Sequence, residues 1–267
     1  EEPLAAALGA GLDIKGPNGH MVVDVGGGTT DVAVLSMNGV AVSSSVKVAS
    51  DSFDEAIALY LRRKHGIIVG QATAEDIKMQ IGCVFPRPDV LSVEIKGRCL
   101  MTGLPRVVTC SSTEMLEAFE EVSERIIETV LHVLETTPPE LVADIINNGI
   151  VMTGGGSLLR GFDKLITDLT GIHTYVAKDA ISCVAIGTGK ALDHIASLVH
   201  YLEGSGVLAS LHIAGHLDGA PHGACLHSGH GMGLVLVDDI GHEPCRKVGG
   251  MVTTVYIVVC DHIVHEA

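Results

Sequence analysis

The sequence predicts an α/β fold with a smaller α+β lobe inserted into it, and three glycine clusters in chain order carry that prediction. The first lies in Val22 to Val34, VVDVGGGTTDVAV, where two β-branched runs flank Gly26, Gly27 and Gly28. This pattern reads as a β-hairpin whose turn brings backbone N–H groups up to an anion, because only glycine permits so close an approach. The second is Ile150 to Gly161, IVMTGGGSLLRG, an apolar strand running into Gly154, Gly155 and Gly156 and then into a helical pattern from Ser157. That arrangement leaves unsatisfied N–H groups and a helix dipole facing an anion. The third is Cys183 to Leu192, CVAIGTGKAL, where Gly187 and Gly189 mark a helix passing close to other backbone. One triple glycine is as well explained by an ordinary hairpin turn. Three clusters in this order favour a ligand-gripping surface.

Taken in order, the hairpin and the run Gly39 to Val48 give three strands in a meander, followed by a helix from about Ser52 to His65. In the turn, the hydroxyls of Thr29 and Thr30 add donors, while Asp24 and Asp31 are placed to hold a metal-bound water. Thr73 followed by Asp76 starts a short helix. Leu91 to Lys96 and Arg106 to Thr109 read as paired strands of the smaller lobe, residues 51–109. Ser111 and Glu114 form a capping box for a long helix with Met115, Phe119, Val122, Ile126 and Val130 on one face, a core stripe. Pro138 and Pro139 stop that helix. The larger lobe takes residues 1–50 and 110–199.

Composition narrows the partners. Lys plus Arg is 17 against 32 Asp plus Glu, and the formal charge of −15 repels nucleic acid and anionic lipid. No run of eighteen or more truly apolar residues is present, so neither a transmembrane helix nor a signal peptide is expected, and the chain reads as cytosolic. Seven cysteines without a repeating spacing read as reduced buried thiols.

In this order the motifs resemble the actin and heat-shock-chaperone ATPase superfamily, and within it the bacterial rod-shape-determining MreB family. EEPLAAALGAG, VVDVGGGTTDVAVL, FDEAI, TAEDIKMQIG, TGLPR, TPPELVADI, IVMTGGGSLLRGF and CVAIGTGKAL carry the likeness over residues 1–198. The resemblance implies the second domain of an actin-like ATPase, ribonuclease H-like in fold, with ATP and magnesium as ligands. Carried over by position, Glu2 orients the attacking water, and Gly26, Gly27, Gly28, Thr29 and Thr30 form the second phosphate loop. Asp24 then holds magnesium through water. Glu75, Asp76, Ile77 and Lys78 form the edge that holds ribose and adenine, and Gly154, Gly155, Gly156, Ser157 and Leu158 form the other side of the adenine slot. Intact relatives assemble into filaments under the inner membrane and guide the cell-wall elongation machinery. Their membrane attachment comes from the first domain. A sugar or acetate kinase of the same superfamily, or a ligand-free structural fragment, is the alternative reading.

The sequence departs from the family in three ways. No stretch of the type Asp-x-Gly-Thr followed by a threonine is present, so the chain reads as the second half of a clamp that positions its nucleotide between two domains. Ala49-Ser50-Asp51-Ser52 stands where the family has Gly-Gly-Asp-Lys, and the added Cβ atoms predict strain where the inserted lobe begins. From His200 onward the chain is foreign in composition, with nine of the 14 histidines and three of the seven cysteines. His212, His216, Cys225, His227, His230 and Cys245 match no compact tetrahedral pattern, so this tail reads as an unselected extension, with Met251 to Cys260 an aggregation-prone β segment.

Overall fold

The computed structural model describes residues 1–192 and three short strands further on. The chain opens with helix α1 (Glu2–Ala10) and the meander β1 (His20–Val25), β2 (Thr30–Ser36) and β3 (Gly39–Val46). Helix α2 (Ser50–Tyr60) passes through a π-helical turn, Leu61–His65, into β4 (Ile67–Ile68) and helix α3 (Gln71–Ile81). The hairpin β5 (Ser92–Cys99) and β6 (Pro105–Ser111) leads into the long helix α4 (Ser112–Thr136). Then come α5 (Pro139–Asn148), β7 (Ile150–Thr153), α6 (Phe162–Thr170), β8 (Thr174–Val176) and a helix over residues 183–192.

Five strands form one sheet in the order β3-β2-β1-β7-β8, antiparallel across the meander and parallel from β1 through β7 to β8. Strands covered on both faces carry continuous apolar runs, as HMVVDV does in β1, where every residue from Met21 to Val25 is buried. The serine-rich edge strand β3 alternates instead, and edges are commonly blunted with such polar residues. On one face of the sheet Phe53 of α2, Phe119 of α4 and Phe162 of α6 form the core, with Phe53 meeting the other two edge to face at centroid distances of 4.9 and 6.2 Å. On the other face Val22, Ala33 and Leu35 pack against Ala6 and Ala7 of α1. There α1 and the helix over residues 183–192 cross backbone to backbone: a Cβ on Gly187 would overlap the Ala5 carbonyl oxygen, and one on Gly9 the Cys183 carbonyl oxygen. Gly189, expected at the same contact, faces open space. A second antiparallel sheet, β4-β5-β6, lies in the chain between α2 and α4.

The capping box at Ser111 and Glu114 forms, with Glu114 Oε2 accepting from the Ser111 amide at 2.9 Å. Of the predicted stripe on α4, Met115, Phe119, Ile126 and Val130 are fully buried and Val122 is half-buried. Helix α3 starts at Gln71, ahead of Thr73, and α2 starts at Ser50. The strain expected at Ala49 is absent: its φ of −159° is extended backbone open to any residue, and the Ser52 hydroxyl accepts from its amide at 3.4 Å. The long helix ends at Thr136 as Pro138 and Pro139 predict, and α5 starts at Pro139 itself, because proline at the first turn of a helix sacrifices no intrahelical bond. Cys83, Cys99, Cys110 and Cys183 are free thiols, three of them buried. Among the described residues no helix is long and apolar enough to cross a membrane.

In the tail, β9 (Ala224–His227), β10 (Met232–Leu236) and β11 (Thr253–Tyr256) form a three-stranded sheet, β9 antiparallel and β11 parallel to β10. Strand β11 falls inside the predicted β segment. Of the histidines and cysteines considered above, Cys225 and His227 lie on β9, and His212, His216, His230 and Cys245 lie outside the described residues.

Candidate functional site

Parallel pairing of β1 with β7 sets Asp24 opposite Thr153, so the turns that follow the two strands emerge side by side at one edge of the sheet. In an open α/β sheet this edge, where neighbouring connections diverge, is where ligands bind. The first turn is closed by the Gly26 amide donating to the Thr29 carbonyl at 2.9 Å. Its Gly26 and Gly27 carbonyls accept from the amides of Ser50 (3.1 Å) and Asp51 (2.9 Å), the first residues of α2. A trans peptide sends its N–H opposite its C=O, so the Gly27 and Gly28 amides point away from α2, and both residues are exposed together with Thr29. Of the three glycine amides expected in the donor cradle, that of Gly26 closes the turn, and those of Gly27 and Gly28 face outward. Thr30 does not join it: its buried hydroxyl donates to the Val48 carbonyl at 2.7 Å and ties β2 to the start of α2.

Beneath the cradle, Asp24 is buried and its Oδ1 accepts from the Thr153 hydroxyl at 3.0 Å. Burial pushes the Asp24 carboxyl above the usual carboxylate range; the Thr153 hydrogen bond opposes this, and the charges of Glu2 and Asp31 add to it. Glu2, exposed in the first turn of α1, is thereby within electrostatic reach of Asp24. Such an acid favours the folded state while protonated and loses that contribution as pH rises through its folded-state value. Asp24→Asn is therefore expected to melt higher than the parent near neutral pH without ligand. The gap should close at about pH 3, below the ordinary Asp value, where Asp24 is protonated folded and unfolded alike. Equal melting temperatures across that range would refute the assignment.

The second turn packs directly on the first strand. Gly154 has φ +81°, and a Cβ there would overlap the Val25 carbonyl oxygen and lie 2.6 Å from Asp24 Oδ1. Ser157, expected to line the slot, is buried and donates its hydroxyl to the Gly154 carbonyl at 2.6 Å, closing the turn. The segment after the glycines is a four-residue 3-10 turn, Gly155–Leu158, and α6 begins only at Phe162, because Gly161 at φ +84° interrupts the chain. The long helix dipole expected from Ser157 onward is not present at this turn.

Between this turn and α3 opens a cleft of about 690 Å³ lined by Glu75, Lys78, Gly155, Gly156, Leu158 and Arg160. Glu75 and Lys78 are three apart and share a helix face. Asp76 and Ile77 point elsewhere: Ile77 is buried in the core, and Asp76 is exposed outside the cleft. Lys78 Nζ donates to Asp54 Oδ2 (2.8 Å), the Ser50 hydroxyl (2.8 Å) and the Ser50 carbonyl (3.1 Å), so its three protons tie α3 to the residue that also grips Gly26. Exposed Leu158, Met79 and Ile181 give the cleft apolar lips suited to a flat ring. Sequence reasoning missed Arg87, which lines the cleft with its side chain only 9% exposed and its Nε without a partner among the described residues. Ser50 links the two features, since it lines the cleft and its amide donates to the Gly26 carbonyl, and the apolar mouth is of a size for a flat ring.

A family model described as MreB/Mbl protein matches residues 1–200. The cell shape-determining protein MreB of Escherichia coli (strain K12) is 52% identical over 195 residues, which are 73% of this chain and 56% of that protein. The crystal structure of MreB5 of Spiroplasma citri bound to ADP superposes with a TM-score of 0.73 at 41% identity, over 75% of this chain and 61% of that one. A structure titled MamK double helical filament superposes with a TM-score of 0.61 at 23% identity, covering 72% of this chain and 58% of that one, and shows the fold alone. The chain spans just over half the length of the curated relatives it matches.

Proposed function

This chain belongs to the MreB/Mbl family, and on that premise we propose that residues 1–192 form one face of an ATP and magnesium site in an actin-like, filament-forming protein that determines cell shape. The observation that carries the reading is the parallel β1–β7 pairing, which places the Gly26–Thr29 cradle and the Gly154–Leu158 turn beside each other, with the cleft adjoining. In this reading the Gly27 and Gly28 amides bind phosphate oxygens. Glu75 and Lys78 face the ribose, and Gly155, Gly156 and Leu158 flank the base. Asp24 holds a water of the magnesium ion, whose charge offsets the crowding of Asp24 with Glu2 and Asp31. Glu2 orients the water that attacks the terminal phosphate. The lobes divide at residues 1–50 and 110–199 for the larger and 51–109 for the insertion, with 200–267 an extension. Within this reading the chain self-associates into filaments, works with the cell-wall elongation machinery and acts in the cytoplasm at the inner membrane; the likeness to cell shape-determining relatives supports it. Identity at the 52% level to a cell shape-determining protein sets the sugar or acetate kinase reading aside.

One face of a clamp supplies part of the contacts. This 267-residue chain is expected to bind ATP with magnesium at a dissociation constant of ~0.1–1 mM, with hydrolysis at background. Calorimetric titration checks this. Sub-micromolar affinity, or turnover that Glu2→Ala abolishes, would mean that the chain holds a complete site. No binding at millimolar ATP would sink the nucleotide assignment.

A further inference from the structure

Away from the cleft, three side chains from separate elements meet at the junction of the small sheet with α4. They are His65 at the end of the π-helical turn, Cys110 on β6 and Glu114 in the first turn of α4. One ligand atom from each, His65 Nε2, Cys110 Sγ and a Glu114 carboxylate oxygen, lies within 4.8 Å of the others. We propose that His65, Cys110 and Glu114 form a binding site for a zinc-type divalent cation.

The donor set suits that ion. Imidazole, thiolate and carboxylate are the ligand types of tetrahedral zinc, with bonds of about 2.0–2.3 Å and hence ligand separations of roughly 3.3–3.8 Å. The three atoms close on an ion by about an ångström of side-chain movement. A thiolate and a carboxylate balance the double positive charge, so the occupied site is neutral, as a partly buried position requires. The outer shell is already built. Glu114 Oε2 accepts from the Ser111 amide (2.9 Å) and hydroxyl (3.1 Å), which fixes the carboxylate and leaves Oε1 facing His65 Nε2 at 2.8 Å. The ion takes the place of the proton in that His65–Glu114 hydrogen bond, and the Cys110 thiol proton leaves to solvent. Cys110 is buried, whereas the His65 and Glu114 side chains are 20% and 21% exposed, so the fourth position opens to water. Sequence spacing hides the site, since 45 residues separate His65 from Cys110. Its effect would be to fasten the end of α2, the small sheet and α4 to one another.

The test is equilibrium dialysis of the full chain against zinc ions, with melting curves and the cobalt-substituted spectrum. Because the tail carries many further histidines and cysteines, the readout is the difference between variants. Cys110→Ala and His65→Ala should each lose one bound equivalent and the corresponding rise in melting temperature, about 5–10 °C at a hundredfold excess over the dissociation constant. Cys110→Ala should also lose a share of the thiolate-to-cobalt absorption, while Cys99→Ala keeps all three signals. Should Cys110→Ala fail to fold, the half-buried His65→Ala decides. Full parental stoichiometry in either folded variant overturns the site.

Discussion

Gly154→Ala is expected to lower the melting temperature by about 5–15 °C and to abolish nucleotide binding. Two costs add. A residue with a side chain pays roughly 1–3 kcal/mol to adopt the backbone conformation that Gly154 holds at φ +81° and ψ 161°, a region populated essentially by glycine alone. The new methyl would also overlap the Val25 carbonyl oxygen and press on Asp24 Oδ1 from 2.6 Å, and forcing atoms into packed space costs about 1–3 kcal/mol more. In a domain of this size each kcal/mol moves the midpoint by about 2–4 °C. The neighbouring Gly155→Ala is the control, because a Cβ there meets nothing within 4 Å. Thermal melts of the two variants decide the matter; indistinguishable midpoints would show that β1 and the second glycine turn are not in the contact described.

Lys78→Met should destabilise the chain by about 3–5 kcal/mol, the cost of stranding one member of a buried ion pair. The Lys78 and Asp54 side chains are only 11% and 5% exposed, so solvent screens the pair little. Among the described residues Asp54 Oδ1 has no partner even with the lysine present, and removal of Lys78 would leave the whole carboxylate unpaired there. The double variant Lys78→Met, Asp54→Leu should regain most of the loss, since two apolar groups of similar size need no partner. Denaturant titration of the four members of the cycle separates the two outcomes. A single variant as stable as the parent would show that Lys78 does not hold α3 to α2. Since Ser50 bonds both Lys78 and Gly26, the single variant should also weaken ATP binding.

The parts legible in the sequence are those where backbone geometry demands a residue type. The glycine turns after β1 and β7, the capping box at Ser111 and the stripe on α4 all announce themselves this way. Polar side chains were harder to read. Thr30 and Ser157 sit in the right motifs, yet their hydroxyls satisfy neighbouring carbonyls, a choice made by burial that composition does not reveal. In Glu75 to Lys78 the helical period alone separates the cleft-facing residues from Asp76 and Ile77, and the register could have been taken from the buried pattern of Ala74, Ile77 and Ile81. The strain expected at Ala49 from the family pattern does not arise, because its φ of −159° lies in extended backbone that any residue adopts. Arg87 and the trio at His65 had no signal, since only tertiary folding turns one guanidinium inward and draws three distant residues together.

The β1–β7 pairing joins residues 129 apart in sequence, as the Asp24–Thr153 hydrogen bond records. A ribosome adding 5–20 residues per second exposes β1 about 6 to 26 seconds before its partner strand emerges. Throughout that interval the meander is free to form, but the valine-rich edge of β1 has only β2 beside it and presents an open row of backbone donors and acceptors. Such an edge recruits any strand available, including those of other nascent copies. Synthesis of this chain thus includes a window in which the unpaired edge of β1 is open to wrong pairing until β7 follows.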